Sequence, residues 1–338
     1  MKKINIGILG PSEIAFRRFV PGILKSEKFN LSGIACATEQ EWAEKATENN
    51  SPVQSEYEKC LKFKDEYGCN IFNSYQDLLK NSDIEAVYIP LPPGLHKKWA
   101  EAALLSGKHV LLEKPLTTCY KDTKYLIDLA KDKELALHEN FAFIFHKQIE
   151  IIDSLLKQNV IGDLRLVRTC FGFPYRGESD FRYYKELGGG SILDCGGYPL
   201  KLASHLLGKS TRVVYAKLNH AKNHDVDVFG SATLENDNGL IAQVSFGMDN
   251  SYKCELEIWG SEGLLYTPRI FTPPADMEPH IFIHCNEEKD IVVPKDDYFK
   301  NSAEHFYDCI LNEITRAENY NIIERQGRLF ESVLAVRT

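Results

Sequence analysis

Short apolar runs alternate with amphipathic segments over the first 140 residues, and this alternation limits the possible folds more than any other feature of the chain. The apolar runs indicate strands at Ile4–Leu9, Leu31–Ala37, Ala86–Ile89, His109–Leu112 and Leu135–Leu137. The amphipathic segments indicate helices over Ile14–Leu24, around Trp42, Ala43 and Ala46, and over Leu95–Leu105 and Cys119–Ala130. Because this alternation is typical of βαβ units, we predict an α/β domain with a doubly wound parallel sheet in residues 1–140.

The pattern changes in the second half, where strand-like segments follow one another with turns between them. These segments are Arg212–Leu218, Val226–Leu234, Leu240–Phe246, Cys254–Trp259 and His280–His284, preceded by predicted helices over His146–Gln158 and Tyr198–Leu207. We therefore predict an α+β domain with a large antiparallel sheet in residues 141–338. The polar segment Asn49–Gly68, with a predicted helix over Tyr57–Tyr67, is interpreted as a surface insertion without an assigned function.

Composition excludes several classes of protein. With 40 basic and 48 acidic side chains the net charge is −8, which argues against nucleic-acid binding. The sequence contains no run near the roughly 20 apolar residues that a membrane-spanning helix needs. The nine cysteines form no Cys-x-x-Cys pair and no zinc-ligand spacing, so we expect no metal and a reducing compartment. The first apolar run is cut short by Gly10-Pro11-Ser12-Glu13, which predicts a cytoplasmic start rather than a signal peptide.

The first strand-to-helix junction, Gly7 to Ala15, indicates a dinucleotide site. Such a site needs a tight turn and a helix N-terminus directed at the pyrophosphate. Ser12 replaces the middle glycine of the usual pattern, while Ala15 supplies the small helix contact. The end of the second strand, Cys36-Ala37-Thr38, offers neither the acidic residue that favours NAD nor the basic residue that favours NADP, so both cofactors stay open.

Lys114 follows the predicted strand His109–Leu112 in the tripeptide Glu113-Lys114-Pro115. A lysine at the carboxyl end of a parallel strand points to the crevice where such sheets bind ligands. Pro115 is expected to fix the backbone after it, with a cis bond as one way of doing so. Taken alone, the tripeptide is also typical of an ordinary surface turn.

A second candidate region begins with Gly188-Gly189-Gly190, where the lack of side chains lets another backbone or a ligand come close. Asp194 and Tyr198 follow, four residues apart, so they share one face if the segment is helical. Tyr198 could instead be a core tyrosine with one satisfied hydroxyl, which is the commoner role of an isolated tyrosine.

These pieces together resemble the glucose–fructose oxidoreductase/inositol dehydrogenase (Gfo/Idh/MocA) superfamily. The resemblance rests on the first turn, Tyr88 to His96, Glu113-Lys114-Pro115 and Gly188 to Tyr198, and it covers nearly the whole chain. Further segments resemble the NDP-hexose 3-ketoreductases of deoxysugar biosynthesis: Ile14 to Arg18, His138 to Phe141, Val160 to Arg165 and Phe271 to Ala275.

The resemblance implies a role for individual residues. It identifies Lys114 as the catalytic lysine and places Tyr198 and Lys201 where many members have a histidine and an aspartate, as expected for the ketoreductases. The positions that it assigns to cofactor contacts are Gly10, Pro11, Ser12, Glu13, Ile14, Cys36, Leu91, Pro92, His96, Glu113 and Lys114. It slightly favours NADP(H) over NAD(H), although Cys36 to Thr38 lack the serine–arginine pair that holds NADP in many relatives.

The predicted function is reduction of the 3-keto group of a nucleotide-linked, dTDP-type deoxyhexose. Tyr198 would donate the proton, Lys114 would be its electrostatic partner, and Asp194 would orient the pair or a sugar hydroxyl. Two alternatives stay open: an NAD(P)-dependent dehydrogenase of free sugars, polyols or dihydrodiols, and a non-catalytic nucleotide sensor. We also expect a homodimer or homotetramer, because an open sheet face would leave a large apolar patch in water.

Overall fold

A computed structural model describes residues 2–42, 53–177, 179–220 and 224–336. The chain divides into two compact units. The first comprises Met1–Asn140 with Phe299–Glu324, and the second comprises Phe141–Tyr298 with Arg325–Thr338. The sequence-based division placed all of 141–338 in one domain. Phe299–Glu324 instead joins the first unit because Tyr320 and Ile323 are buried in its core, where the Tyr320 hydroxyl donates to the carbonyl of Leu135.

The strands and helices of the described residues have the following bounds. The strands are β1 (Ile4–Leu9), β2 (Phe29–Ala35), β3 (Asn70–Phe72), β4 (Ala86–Ile89), β5 (His109–Glu113), β6 (Leu137–Asn140), β7 (Leu164–Gly172), β8 (Arg212–His220), β9 (Asp227–Glu235), β10 (Ile241–Gly247), β11 (Lys253–Gly260), β12 (Leu264–Thr267), β13 (His280–His284) and β14 (Glu288–Val292). The α-helices are α1 (Val20–Leu24), α2 (Glu39–Trp42), α3 (Val53–Tyr67), α4 (Tyr75–Lys80), α5 (Pro93–Leu105), α6 (Tyr120–Asp132), α7 (Lys147–Lys157), α8 (Gly197–Leu207), α9 (Tyr298–Leu311) and α10 (Glu313–Ala335). Short 3-10 or π-helical segments lie at Ala15–Phe19, Ala142–Phe145, Phe181–Tyr183, Lys185–Leu187 and Ile192–Gly196.

The first unit contains the predicted parallel sheet. Its strand order is β3-β2-β1-β4-β5-β6, and every neighbouring pair is parallel. The order reverses between β1 and β4, which is the switch point where doubly wound sheets bind their ligands. The carboxyl ends of β1, β2, β4 and β5 therefore lie along one edge, and the predicted cofactor and lysine positions follow these strand ends.

The second unit contains an eight-stranded sheet in the order β14-β13-β12-β11-β7-β10-β9-β8. All neighbouring pairs are antiparallel except β7 with β10, which are parallel. Helix α8 packs on one face of β7 and β10, where Val167 and Val244 are buried. The prediction of a large antiparallel sheet is thus confirmed, with one exception. The parallel pair was not predicted, because β7 was not recognised as a strand from the sequence.

Helix α3 shows that the interpretation of Asn49–Gly68 as a surface insertion is wrong in part. Residues 49–52 lie outside the described part of the chain, as do Ala43 and Ala46 of the helix predicted after β2. From Val53 onward the segment is an α-helix, and its Phe63 is buried, with its ring centroid 5.0 Å from that of Phe16. The helix is therefore a packed layer of the first unit.

Two observations concern the environment of the protein. Among the described helices, none is both long and apolar enough to cross a membrane. The nine cysteines all lie within the described residues and form no disulfide, and six of them are buried.

Candidate functional site

The turn after β1 has a backbone that only glycine adopts easily. Gly10 has φ +96°, and a Cβ there would lie 2.6 Å from a methyl group of Leu91 and 3.1 Å from the hydroxyl of Tyr75. The Gly10 N–H donates to the carbonyl of Ala35 at the end of β2. The turn is therefore held between the carboxyl ends of β2 and β4, as a close approach to a pyrophosphate requires.

Ser12 starts the first helix by capping it. Its hydroxyl accepts the N–H of Ala15 at 3.1 Å, and its carbonyl accepts the first helical N–H, that of Phe16, at 3.0 Å. The N–H groups of Glu13 and Ile14 precede the first helical turn and have no acceptor within the helix. Both residues are exposed, so these two donors can bind an anion. The serine in place of the middle glycine thus fits a phosphate cradle.

Two glutamates arrange the loop after β2. The buried Glu56 of α3 accepts the N–H of Ala37 at 2.8 Å, and the Tyr75 hydroxyl lies 3.3 Å from the same oxygen. Glu41 accepts the N–H of Thr38 at 2.8 Å. Glu56 was not predicted because α3 was interpreted as an insertion, and Glu41 of α2 was not singled out in the sequence. They occupy the backbone donors next to Cys36, which is buried after the end of β2.

His96 connects the loops that follow β4 and β5. The ring is fully buried, with Nδ1 2.8 Å from the carbonyl of Pro115 and Nε2 2.7 Å from the carbonyl of Leu91. Burial lowers the pKa of His96 to about 4, against the opposite effect of these carbonyls. Both ring nitrogens are directed at the protein, so their polar contacts fix the loops. A cofactor contact by His96, as by Pro92 at the start of α5, stays a prediction.

The segment around Lys114 is held on both sides. The Lys114–Pro115 peptide bond is cis, which is the conformation that the sequence suggested for fixing this backbone. Oε1 of Glu113 accepts the Tyr88 hydroxyl at 2.6 Å and the Asn140 amide at 2.7 Å. Burial raises the pKa of Glu113, while these hydrogen bonds and the charge of Lys114 act against the rise. The Glu113 side chain therefore forms its hydrogen bonds with neighbouring protein groups.

In the second unit, the three glycines make room for protein groups. A Cβ on Gly189 would lie 2.4 Å from the carbonyl oxygen of Arg182, and one on Gly190 (φ +119°) would lie 2.5 Å from Asp227. The Asp227 carboxylate in turn accepts the N–H of Ile192 at 2.8 Å. The sequence left open whether the glycines admit a ligand or another part of the backbone. In the structure, protein groups lie against Gly189 and Gly190.

Asp194 is tied to an arginine that sequence reasoning missed. Nε of Arg182 lies 2.7 Å from Asp194, and Nη1 lies 3.0 Å from Asp180. Both partners in the first ion pair are mostly buried, with side chains 21% and 11% exposed. Burial lowers the pKa of Arg182, but the two carboxylates outweigh it and raise the pKa overall. Asp194 is therefore held in a fixed position as a carboxylate.

Tyr198 lies at the start of α8 within a cluster of aromatic rings. Its ring is half-buried, and the ring centroids of its neighbours lie 4.9 to 5.8 Å away: Phe141, Phe143, Phe171 and Phe271. Lys201, one turn further along α8, is buried with its ammonium 5.5 Å from the centroid of Phe141. The aromatic neighbours fix the plane of the phenol, which is what a positioned acid requires.

Two protein families match the chain. Residues 4–141 match the family described as "Oxidoreductase family, NAD-binding Rossmann fold". Residues 149–266 match the family described as "GFO/IDH/MocA C-terminal domain". The two matches correspond to the parallel sheet and to most of the antiparallel sheet.

Relatives with known activities match over nearly the full length. The chain is 34% identical to the dTDP-3,4-didehydro-2,6-dideoxy-alpha-D-glucose 3-reductase of Streptomyces antibioticus, with 99% of this chain and 97% of that protein covered. It is 33% identical to the D-xylose 1-dehydrogenase (NADP(+)) 2 of Haloferax volcanii, with 96% of each protein covered.

Among solved structures, the chain is similar to KijD10, a 3-ketoreductase from Actinomadura kijaniata in complex with NADP and TDP-benzene. The TM-score is 0.89 at 34% sequence identity, covering 98% of this chain and 97% of that one. Other structures of KijD10 carry a tyrosine-to-phenylalanine or a lysine-to-alanine substitution.

Proposed function

The chain belongs to the GFO/IDH/MocA oxidoreductase family, and from this membership we propose that it reduces the 3-keto group of a nucleotide-linked deoxyhexose. The observation that carries the proposal is the near full-length similarity to the 3-reductases, together with a lysine and a tyrosine at the catalytic positions that the family resemblance assigns. The substrate class is a dTDP-linked 3-keto sugar.

The residues after β1 fit a nicotinamide dinucleotide. A Cβ at Gly10 would fill the space beside Leu91, and the N–H groups of Glu13 and Ile14 are available to a pyrophosphate. The residues at and after the carboxyl ends of β4 and β5 would border the nicotinamide end: Leu91, Pro92, Glu113 and Lys114. Cys36, which follows β2, would border the adenosine end. When bound, the reduced cofactor supplies the hydride that reaches the carbonyl carbon.

We propose that Tyr198 donates the proton that the carbonyl oxygen takes up. The C=O double bond becomes a C–OH single bond, and the phenolate regains its proton from water. A free phenol has a pKa of about 10, and a nearby ammonium stabilises the phenolate, so the charge of Lys114 would make Tyr198 a better acid. Lys114 would also donate a hydrogen bond to the oxygen as negative charge grows on it.

Asp194 is proposed to orient a sugar hydroxyl or the catalytic pair. Its ion pair with Arg182 keeps it charged and fixes its direction, so an orienting role needs no movement of the carboxylate. We propose NADP(H) as the preferred cofactor, because KijD10 is described in complex with NADP. NAD(H) is the alternative, since Glu41 and Glu56 place negative charge next to Cys36 to Thr38.

The second candidate function is a dehydrogenase of free sugars, which the similarity to the D-xylose 1-dehydrogenase favours. The same lysine and tyrosine would serve both reactions, so the two functions differ in substrate only. A role as a nucleotide sensor needs neither side chain. A homo-oligomer and a cytoplasmic location stay predictions.

A substrate panel tests the proposal. Purified protein is mixed with NADPH or NADH and a dTDP-linked 3-keto-deoxyhexose, and separately with NADP+ or NAD+ and free D-xylose or polyols. We expect the reduced cofactor to be consumed with the nucleotide-linked sugar, with a higher kcat/KM for NADPH than for NADH. Turnover of free sugars alone would overturn the proposal in favour of the dehydrogenase, and cofactor binding without any turnover would favour the sensor.

A further inference from the structure

A row of buried, hydrogen-bonded polar side chains leads to the carboxylate of Glu113. Asn140, at the end of β6, is the member of this row that contacts Glu113 directly. The Ser302 hydroxyl of α9 donates to Oδ1 of Asn140 at 2.8 Å. Nε2 of His138 lies 3.1 Å from the Ser302 oxygen, and Oδ1 of Asn319 holds the other ring nitrogen at 3.2 Å. Asn140, Ser302, His138 and Asn319 are each at most 4% exposed.

The direction of donation along this row follows from donor and acceptor counting. Asn140 gives its amide N–H to Glu113, so its carbonyl oxygen must accept. Ser302 then spends its single proton on Asn140, and the hydroxyl oxygen lies 3.1 Å from Nε2 of His138. Donation runs from Ser302 through Asn140 to the Glu113 carboxylate, and aligned hydrogen bonds of this kind strengthen one another.

The other end of the row reaches the backbone of Lys114. Oε2 of Glu113 accepts the N–H of Lys114 at 3.3 Å, while Oε1 takes the bonds from Tyr88 and Asn140. A carboxylate with donors on both oxygens stays ionised more readily than a buried one without them.

We propose that Asn140 and Ser302 are positioning residues that act through Glu113 on the orientation of Lys114. The inference rests on the proposed catalytic role of Lys114. The row orients groups and does not conduct protons, because an amide passes no proton along without changing its bonding. The proposal also gives a role to the segment His138 to Phe141, which the proposed mechanism leaves unused.

Two substitutions test the row at different points. Asn140→Leu removes the donor to Glu113, and Ser302→Ala removes the link between Asn140 and His138. We expect kcat to fall about 10- to 100-fold for Asn140→Leu and about 3- to 10-fold for Ser302→Ala, with KM for the cofactor changed less than twofold. The acidic limb of the kcat–pH profile should move to higher pH in Asn140→Leu. The hydrogen bond from Asn140 lowers the pKa of Glu113, so without it Glu113 becomes protonated at a higher pH. Asn140→Ser, which keeps a donor, should recover part of the rate.

The controls separate this inference from the proposed function. Ser332→Ala, an exposed serine of α10, should match the parent in rate and melting temperature. If Lys114→Met is inactive while Asn140→Leu and Ser302→Ala are folded and keep the parent's kcat and pH profile, the positioning role is wrong and the proposed function stands. If Lys114→Met itself keeps the parent's turnover, the proposed function fails and the inference fails with it.

Discussion

Arg182 has a structural role that its own variant can measure. The substitution Arg182→Met leaves Asp194 and Asp180 without the charge that both now contact. Breaking a buried ion pair on one side is costly because the remaining charge is poorly hydrated. We expect the free energy of unfolding to fall by about 2–4 kcal/mol in chemical denaturation at pH 7.

The double variant Arg182→Met with Asp194→Asn is the matched control for this prediction. It removes the orphaned charge together with the arginine, so it should be more stable than Arg182→Met alone. A single variant within about 0.5 kcal/mol of the parent would mean that solvent already screens the ion pair.

At the residue scale, the sequence could predict only what local chemistry determines. The turn at Gly10 and the fixed backbone at Pro115 follow from neighbouring residues, and both are observed. The partners of Asp194, Glu113 and Ala37 lie 12, 27 and 19 residues away along the chain. No spacing rule joins such pairs, so Arg182, Asn140 and Glu56 emerged only from the folded chain.

At the scale of elements, His109 links β5 to the segment before β6. Its Nδ1 accepts the N–H of Ala136 at 2.9 Å, which requires an unprotonated nitrogen. Burial, together with the nearby charge of Arg316, lowers the pKa of His109 to about 4. The unfolded chain, with a histidine pKa of about 6.5, takes up this proton first as the pH falls.

The stability that His109 contributes is therefore complete above pH 6.5 and lost as the pH falls toward 4. Between pH 7 and pH 5 we expect the parent to lose about 1–2 kcal/mol more unfolding free energy than His109→Gln, whose amide oxygen can accept the same N–H. Denaturant titrations at both pH values measure the difference. Equal losses in the two proteins would show that folding does not lower the pKa of His109.

The sequence predicted strands correctly where residues that favour β-structure are concentrated in a short run. β1, β4 and β13 have the predicted bounds, since each is rich in isoleucine, valine or aromatic residues. β7 was missed although Val167, Thr169 and Phe171 are buried in alternation, because the exposed residues Arg165 and Arg168 interrupt the apolar pattern. Helix α3 looked like a surface segment because most of its residues are charged or polar, and only packing reveals that Phe63 is buried.

At the scale of the whole molecule, the uncovered face of the second sheet carries the prediction of a homo-oligomer. Directly paired residues on β10, β7, β11 and β12 form an apolar row across this face: Ile241, Leu166, Trp259 and Leu264. Trp259 is 51% exposed in the single chain. Burying such a row against a second copy removes apolar surface from water.

Light scattering coupled to gel filtration tests the oligomer. The parent should have the mass of a dimer or tetramer, and Trp259→Glu should lower the mass by at least half, because a charge would be buried in the interface. Leu311→Glu, on an exposed apolar residue of α9, should leave the mass unchanged. A parent that stays monomeric at every concentration would contradict the prediction.

The central claim is that one ammonium and one phenol, from Lys114 and Tyr198, act on the same substrate oxygen. A double-mutant cycle of single-turnover rates tests it, with Lys114→Met, Tyr198→Phe and the combined variant reacted with NADPH and the dTDP-linked keto sugar. Each single variant should lose about 10²- to 10⁴-fold in rate, and the combined variant should be little slower than the worse single one. Losses that multiply in the combined variant, or a single variant that reacts at the parent's rate, would contradict the account.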